Sequence, residues 1–222
     1  MNRKEYEIEI VSGHIIVKDD RGSRLLVDTG SPSSFHKERI IALGDETFSI
    51  PASIAGIGSN CIESNVGGGI DGLVGMDILG DGLLIDVPHG LIAVGYPSEG
   101  MTAVPSKRLA GCVAVEMIVR GCNTDVIIDT GAPTSYFASS FTAGLPVVGH
   151  AEDFSPLMRE SNFETPLFCV PVSFAGQEYD IRAGNLPEEI MSRLYIFVAG
   201  GIVGMELLKH RRILIAGGRV YV

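Results

Sequence analysis

Short runs of branched apolar residues, each closed by glycine or a polar pair, recur along the whole chain. Residues 5–18 alternate polar and apolar, which predicts two strands turning near Ser12-Gly13. Arg24 to Asp28 carries an unbroken apolar run and reads as a buried strand that ends on an acid. Phe35 to Leu43 reads as a short helix. Phe48 to Val66 holds the glycine-punctuated SIAGIGSNCI and reads as a hairpin with a mobile tip. Met76 to Leu79 begins a helix of up to two turns. Tyr96 to Arg108, with two prolines and a glycine among polar residues, reads as a linker. Beyond it the hairpin-then-strand order returns in GCVAVEMIVRGCNTDVIIDTG. Strands outnumber helices throughout, so the expected class is all-β.

The return is a duplication. LLVDTGSPSSF (Leu25 to Phe35) and VIIDTGAPTSY (Val126 to Tyr136) align without a gap, sharing Asp, Thr, Gly, Pro and one Ser, with conservative exchanges elsewhere. Downstream, GLVGMDIL (Gly72 to Leu79) matches GIVGMELL (Gly201 to Leu208), and each copy is followed by two short apolar strands. Two copies of so long a unit describe a duplicated lobe and not a solenoid. Asp28 and Gly75 lie 47 positions apart, Asp129 and Gly204 lie 75 apart, so the second copy carries 28 additional residues. The expected lobes are 1–102 and 103–222, the second with an insertion around 141–197.

Composition narrows the function. At 222 residues the chain can bury a substantial core. Its mean hydropathy is +0.28, yet no run reaches the roughly 18 apolar residues that cross a bilayer. The start, MNRKEYEIEI, lacks the apolar stretch of a secretory signal, so a cytoplasmic location is expected. A net charge of −10 with no basic run argues against nucleic acid and anionic membrane as partners. Four scattered cysteines form no CxxC pair. Cys112 and Cys122 flank a hairpin and have the option of facing each other, although free thiols fit a reducing compartment better. The five histidines are isolated, which gives a metal site little support.

A strand that runs into a tight turn can hold a carboxylate against the turn's own N–H groups. Gly30 and Gly131 permit the close backbone approach this needs. Thr29 and Thr130 offer hydroxyls able to bond across to the other copy's backbone. Two acids brought face to face cannot both ionise cheaply, so they titrate as a unit. The ionised partner can deprotonate a water while the protonated one hydrogen-bonds a carbonyl.

These residues resemble the aspartic peptidases of the pepsin and retropepsin superfamily, the standard example of a shared-proton acid pair. The likeness rests on both Asp-Thr-Gly loops and on the later Leu73-Val74-Gly75 and Ile202-Val203-Gly204 motifs, and it spans both halves. The chain resembles a single-chain fusion of two retropepsin-type subunits. The resemblance implies a bilobal acid-protease fold, an Asp28–Asp129 dyad, and endopeptidase activity on peptide or protein substrates. It further implies no metal, no cofactor, and a site complete within a monomer without dimerisation. It also implies β-hairpin flaps. The candidates are Ile54 to Cys61, with Gly56, Ile57 and Gly58 at the tip, and Asp153 to Thr165, with Phe154 and Leu157 as subsite residues.

The residues after the two glycines differ. A Ser31 hydroxyl can donate toward the neighbouring carboxylate and Ala132 cannot, which predicts a pH optimum above that of enzymes with hydroxyls at both positions. Two other readings fit parts of the chain. Gly67-x-Gly69-x-x-Gly72 fits a dinucleotide fingerprint, but the residues from Gly72 to Leu83 are too few for its crossover helix. A peptide-binding module without catalysis would use the same bilobal groove, and both intact loops favour the enzyme over it.

Overall fold

In a computed structural model, residues 2–154, 162–196 and 199–222 are described. Among them the chain is mostly strand. A six-stranded sheet joins both halves, in the order Lys4–Glu7, Leu91–Val94, Asp81–Asp86, Arg212–Ala216, Arg219–Tyr221, Ala103–Val104. Its two central strands come one from each copy of the repeat and run antiparallel, with Leu84 opposite Leu214 and Ile85 opposite Ile213. Alternation along them sends Leu83, Ile85, Ile213 and Ile215 to one face and Leu84 and Leu214 to the other.

Each half then folds its own sheet on the same plan. In the first half the order is Glu9–Val11, His14–Lys18, Arg24–Val27, Gly72–Val74, Phe35–His36. The second half repeats it with Ser106–Leu109, Cys112–Val119, Cys122–Ile128, Gly201–Val203, Ser135–Phe137. It then adds Gln177–Asn185, Asn162–Phe174 and Val147–Phe154 at the far edge. The residues that lengthen the second copy therefore extend one sheet. One continuous apolar core runs from Val17 and Leu25 through Leu83 and Ile215 to Val115 and Val126. Each fully buried aliphatic side chain contributes about 1.5–3 kcal/mol, so the halves are joined by shared core as well as by chain.

The hairpin near Ser12-Gly13 forms, with φ of 49° and 83° at its two turn residues. This is the positive-φ pairing that suits the twist of a two-residue hairpin. Three local expectations are corrected. Phe35 to Leu43 is not helical. Phe35 and His36 pair with the strand Gly72–Val74, and Ile40–Leu43 pairs with Glu46–Ser49. Ile41 and Leu43 point into the core with period two, and Arg39 at φ 62° breaks any helical run. The segment after Phe48 is only partly hairpin. Ser53–Ile54 pairs with Ile57–Gly58, and an α-helix follows over Ser59–Val66. The stretch Tyr96 to Arg108 is not all linker, because Ala103–Val104 closes the edge of the central sheet against Arg219–Tyr221. The helix at Met76–Leu79 is a single turn, as is its counterpart Met205–Leu208.

Candidate active site

The strands Arg24–Val27 and Cys122–Ile128 each run into an Asp-Thr-Gly turn. Behind each turn the later apolar motif passes as a parallel neighbour: Leu73 beside Leu26, and Ile202 beside Ile127. That crossing anchors the acids through their backbone. Asp28 N donates to Val74 O and Asp129 N to Val203 O, both at 3.0 Å. The crossing strand must also be slim. A Cβ on Gly75 would stand 2.7 Å from Ser31 O, and one on Gly204 would stand 2.3 Å from Ala132 O. Ser34 fastens the first loop by accepting from Gly75 N at 2.8 Å and donating to Asp77 at 2.5 Å. Ser135 accepts from Gly204 N at 3.0 Å. The acid matching Asp77, Glu206, turns outward to Arg182 and Lys209.

The two turns meet across the pseudo-two-fold axis. Thr29 N donates to Thr130 Oγ1 and Thr130 N to Thr29 Oγ1, each at 3.0 Å. The hydroxyls donate onward, Thr29 to Ile128 O at 2.9 Å and Thr130 to Val27 O at 2.7 Å. Both threonines are buried. The outer hairpins clasp the opposite loops: Gly13 lies on Pro133 and Gly111 on Pro32, where a Cβ would come within 2.8 and 2.7 Å. The Cys112 thiol donates to Gly30 O at 3.1 Å.

This bracing brings the carboxyls of Asp28 and Asp129 close enough that each perturbs the other's ionisation. Each faces the other loop's glycine so closely that a Cβ on Gly30 would lie 2.3 Å from Asp129 Cγ, and one on Gly131 2.6 Å from Asp28 Cγ. The acids are only partly exposed, on the cleft side. Burial raises both above the ordinary carboxylate range, Asp129 well above it. The inequality has a structural cause. Asp28 accepts from the backbone of Ser31, at 2.9 Å, and of Gly30, and both bonds favour its anion. Asp129 accepts from the backbone of Gly131, at 2.8 Å, and also feels the charges of Asp28 and Asp153. The two acids therefore titrate as a pair, with Asp129 the more strongly raised.

One expectation about this asymmetry is corrected. The Ser31 hydroxyl donates to Ser33 O at 2.8 Å and not to Asp28. The Ser31 backbone N–H makes that contact, and a residue of any side chain other than proline supplies it.

The carboxyls floor a cleft of about 370 Å³, within the range of small-molecule and side-chain pockets. Gly30, Ser31, Gly131 and Ala132 border it, whereas Thr29 and Thr130 lie beneath. Of the first-half flap candidates Ile54 and Ile57 border the cleft and Gly56 and Gly58 do not; Gly58 instead stands at the N-cap of the following helix. In the second half Phe154 borders it, at the end of the hairpin formed by Val147–Phe154 and Asn162–Phe174. Leu157 lies outside the described residues. Three residues around the site, Tyr136, His14 and Cys112, escaped sequence reasoning, and Asp153 entered it only as the first residue of a flap candidate. Asp153 lines the cleft and accepts a hydrogen bond from the Tyr136 hydroxyl. Buried His14 and buried Cys112 sit at matched positions of the two hairpins, beside the dyad. Burial, together with the nearby Asp129 and Asp28, pushes the Cys112 thiol up to about 12. The only hint in the sequence was Tyr136 standing where the first copy has Phe35.

Cys112 and Cys122 begin successive strands and do not face each other, since Cys122 pairs with Val119; all four cysteines are free thiols. Among the described residues no cluster of His, Cys, Asp and Glu is arranged to hold a metal ion, and no helix is long and apolar enough to cross a membrane.

Neither a protein-family model nor a curated protein matches the chain. In three dimensions it is similar to the crystal structure of aspartic proteinase from Irpex lacteus. The TM-score is 0.55 at 11% sequence identity, over 99% of this chain and 96% of that one. At that identity the likeness is one of fold: the chain has the all-β, bilobal fold of an aspartic proteinase.

Proposed function

We propose that the chain is an aspartic-type endopeptidase. The observation that carries this reading is the pair of carboxyls, one from each copy of the repeat, brought together at the floor of the cleft, each packed against the other loop's glycine, between two cross-braced loops. Ionised Asp28 takes a proton from a water lying between the acids, and the water oxygen attacks the peptide carbonyl carbon. Asp129 gives its proton to the carbonyl oxygen, so a neutral diol forms. Collapse of the diol breaks the C–N bond. The amine nitrogen gains the proton held by Asp28, the diol returns one to Asp129, and the dyad is again singly protonated. Both acids belong to one chain, so this reading requires no second copy.

The test is hydrolysis of an unfolded polypeptide at acidic pH by the wild type, Asp28→Asn and Asp129→Asn. Each variant is expected to lose at least about 10³-fold in kcat, because general acid–base catalysis supplies about 10²–10⁴ and the two acids act as one unit. A statine-type mimic of the diol should bind the wild type far more tightly than a matching peptide. Turnover within tenfold of wild type in either variant would refute the assignment. Peptide binding without any hydrolysis in the wild type would turn the reading to a binding module.

A further inference from the structure

The two walls of the cleft differ in chemistry. Residues of the first half present an apolar wall, with Leu26, Phe35, Ile54, Ile57, Ile62 and Leu73. The second-half wall is also largely apolar, through Ile127, Phe163, Leu186, Ile190 and Ile202, but it holds the carboxyl of Asp153 and the hydroxyl of Tyr136. The duplication itself produces the difference. Tyr136 and Phe35 occupy the same place in the two copies, so only the second half has a hydroxyl to aim the carboxyl. The ring of Tyr136 is steadied against Phe163, with centroids 5.9 Å apart.

Asp153 stands at the end of a strand, opposite Phe163. Its Oδ2 accepts from Tyr136 Oη, and its Oδ1 accepts from Phe154 N at 2.7 Å. A carboxylate has about four acceptor sites, so these two bonds orient the group without saturating it. A carboxylate in an apolar wall is unfavourable unless a cation or several donors meet it. Among the described residues the basic side chain near it is His14, which reaches across from the first half, its ring 6.3 Å from that of Phe154 and its buried Nε2 without a hydrogen-bond partner. The chain as a whole carries a net charge of −10, which attracts cationic peptides over long range.

We propose that the second-half side of the cleft is a subsite for a basic side chain, lysine or arginine, received by Asp153, while the first-half side takes an apolar one. The substrate is then a polypeptide segment with an apolar residue on one side of the cleaved bond and a basic residue on the other. This rests on the endopeptidase reading. Among the described residues, Tyr136, His14 and Asp129 are the titratable groups facing Asp153, and burial raises the Asp153 carboxyl above its ordinary range. Selectivity for the cation therefore grows as pH rises and Asp153 ionises.

The experiment compares quenched-fluorescence peptides that carry leucine on one side of the central bond and either lysine or norleucine on the other, made in both orders. In one order the wild type is expected to favour lysine by at least about tenfold in kcat/KM, the size of one charge-assisted hydrogen bond. The preference should fall toward unity at acidic pH and in Asp153→Asn. It is read as a ratio within each protein, so a general loss of activity does not mimic it. No lysine preference in the wild type in either order, or a preference that survives in Asp153→Asn, overturns the proposal. If that variant does not fold, Tyr136→Phe, which withdraws the aiming hydroxyl, should reduce the ratio instead. The same peptides, fluorescently labelled, are titrated by anisotropy against Asp129→Asn. Lysine-selective binding there, with no peptide cut by the wild type, would sink the endopeptidase reading and leave the subsite standing. Cutting without selectivity would do the reverse.

Discussion

Thr29→Val is the cleanest probe of the brace between the two halves. Valine keeps the shape of threonine, so packing is preserved and only the hydroxyl is lost. Two bonds go with it: the 3.0 Å bond accepted from Thr130 N and the 2.9 Å bond donated to Ile128 O. Thr29 is 1% exposed and Thr130 0%, so water cannot replace either partner. An orphaned buried N–H costs about 1–3 kcal/mol and a lost bond to a carbonyl about 1 kcal/mol, which together give about 2–4 kcal/mol. That is a large share of the roughly 5–15 kcal/mol typical of a folded chain. Thr130→Val removes the matching pair of bonds and should cost a similar amount. The double variant should cost less than the sum, because loops already loosened by one substitution have less left to lose to the other. Urea unfolding with linear extrapolation reads all three values. Activity should fall more steeply than stability, since a misplacement of about 1 Å costs about 10²-fold in rate. A Thr29→Val protein within about 0.5 kcal/mol of wild type would refute the reasoning, as would full additivity in the double variant.

Other outcomes follow from the same geometry. A carboxyl raised in the folded chain supports folding below its ordinary value near 4 and opposes it as pH rises through the raised value. Asp129→Asn should therefore increase Tm at neutral pH and change it little at about pH 3, measured by differential scanning calorimetry. The pH–rate profile should be bell-shaped, with an acid limb from Asp28 displaced above the ordinary carboxylate range and an alkaline limb set by Asp129. Ala132→Ser should leave both limbs in place, because the matching Ser31 hydroxyl bonds to Ser33 O and not to a carboxyl; a displaced alkaline limb would show that the second loop uses its hydroxyl differently. A thiol reagent at neutral pH should label exposed Cys122 and Cys169 at once and Cys112 only on unfolding, since that thiol is buried and pushed up to about 12.

Much of the architecture was legible in one dimension because the chain states it twice. The matched Asp-Thr-Gly turns and the matched apolar-apolar-Gly motifs marked two equivalent units, and the alternation from Glu5 to Ile10 and the apolar run of His14–Lys18 marked the first strands. Where a segment appears once, local reading failed. Phe35 to Leu43 has a composition that suits a helix, yet its backbone pairs with the crossing strand Gly72–Val74 and with Glu46–Ser49, partners that no local window contains. The helix Ser59–Val66 was hidden for the opposite reason, because the glycines before it read as hairpin while Ile62 and Val66 found a core to bury in. The cleft's asymmetry belonged to tertiary structure altogether. His14, Tyr136 and Asp153 are far apart along the chain and carry no shared motif, and only the extension of the second sheet brings the end of Val147–Phe154 over the dyad. Duplication could thus be read from residue identity, because like sequence folds alike. How strongly each acid is perturbed, and which wall carries a carboxyl, depended on burial and on neighbours supplied from elsewhere in the chain, and distance in space decides those.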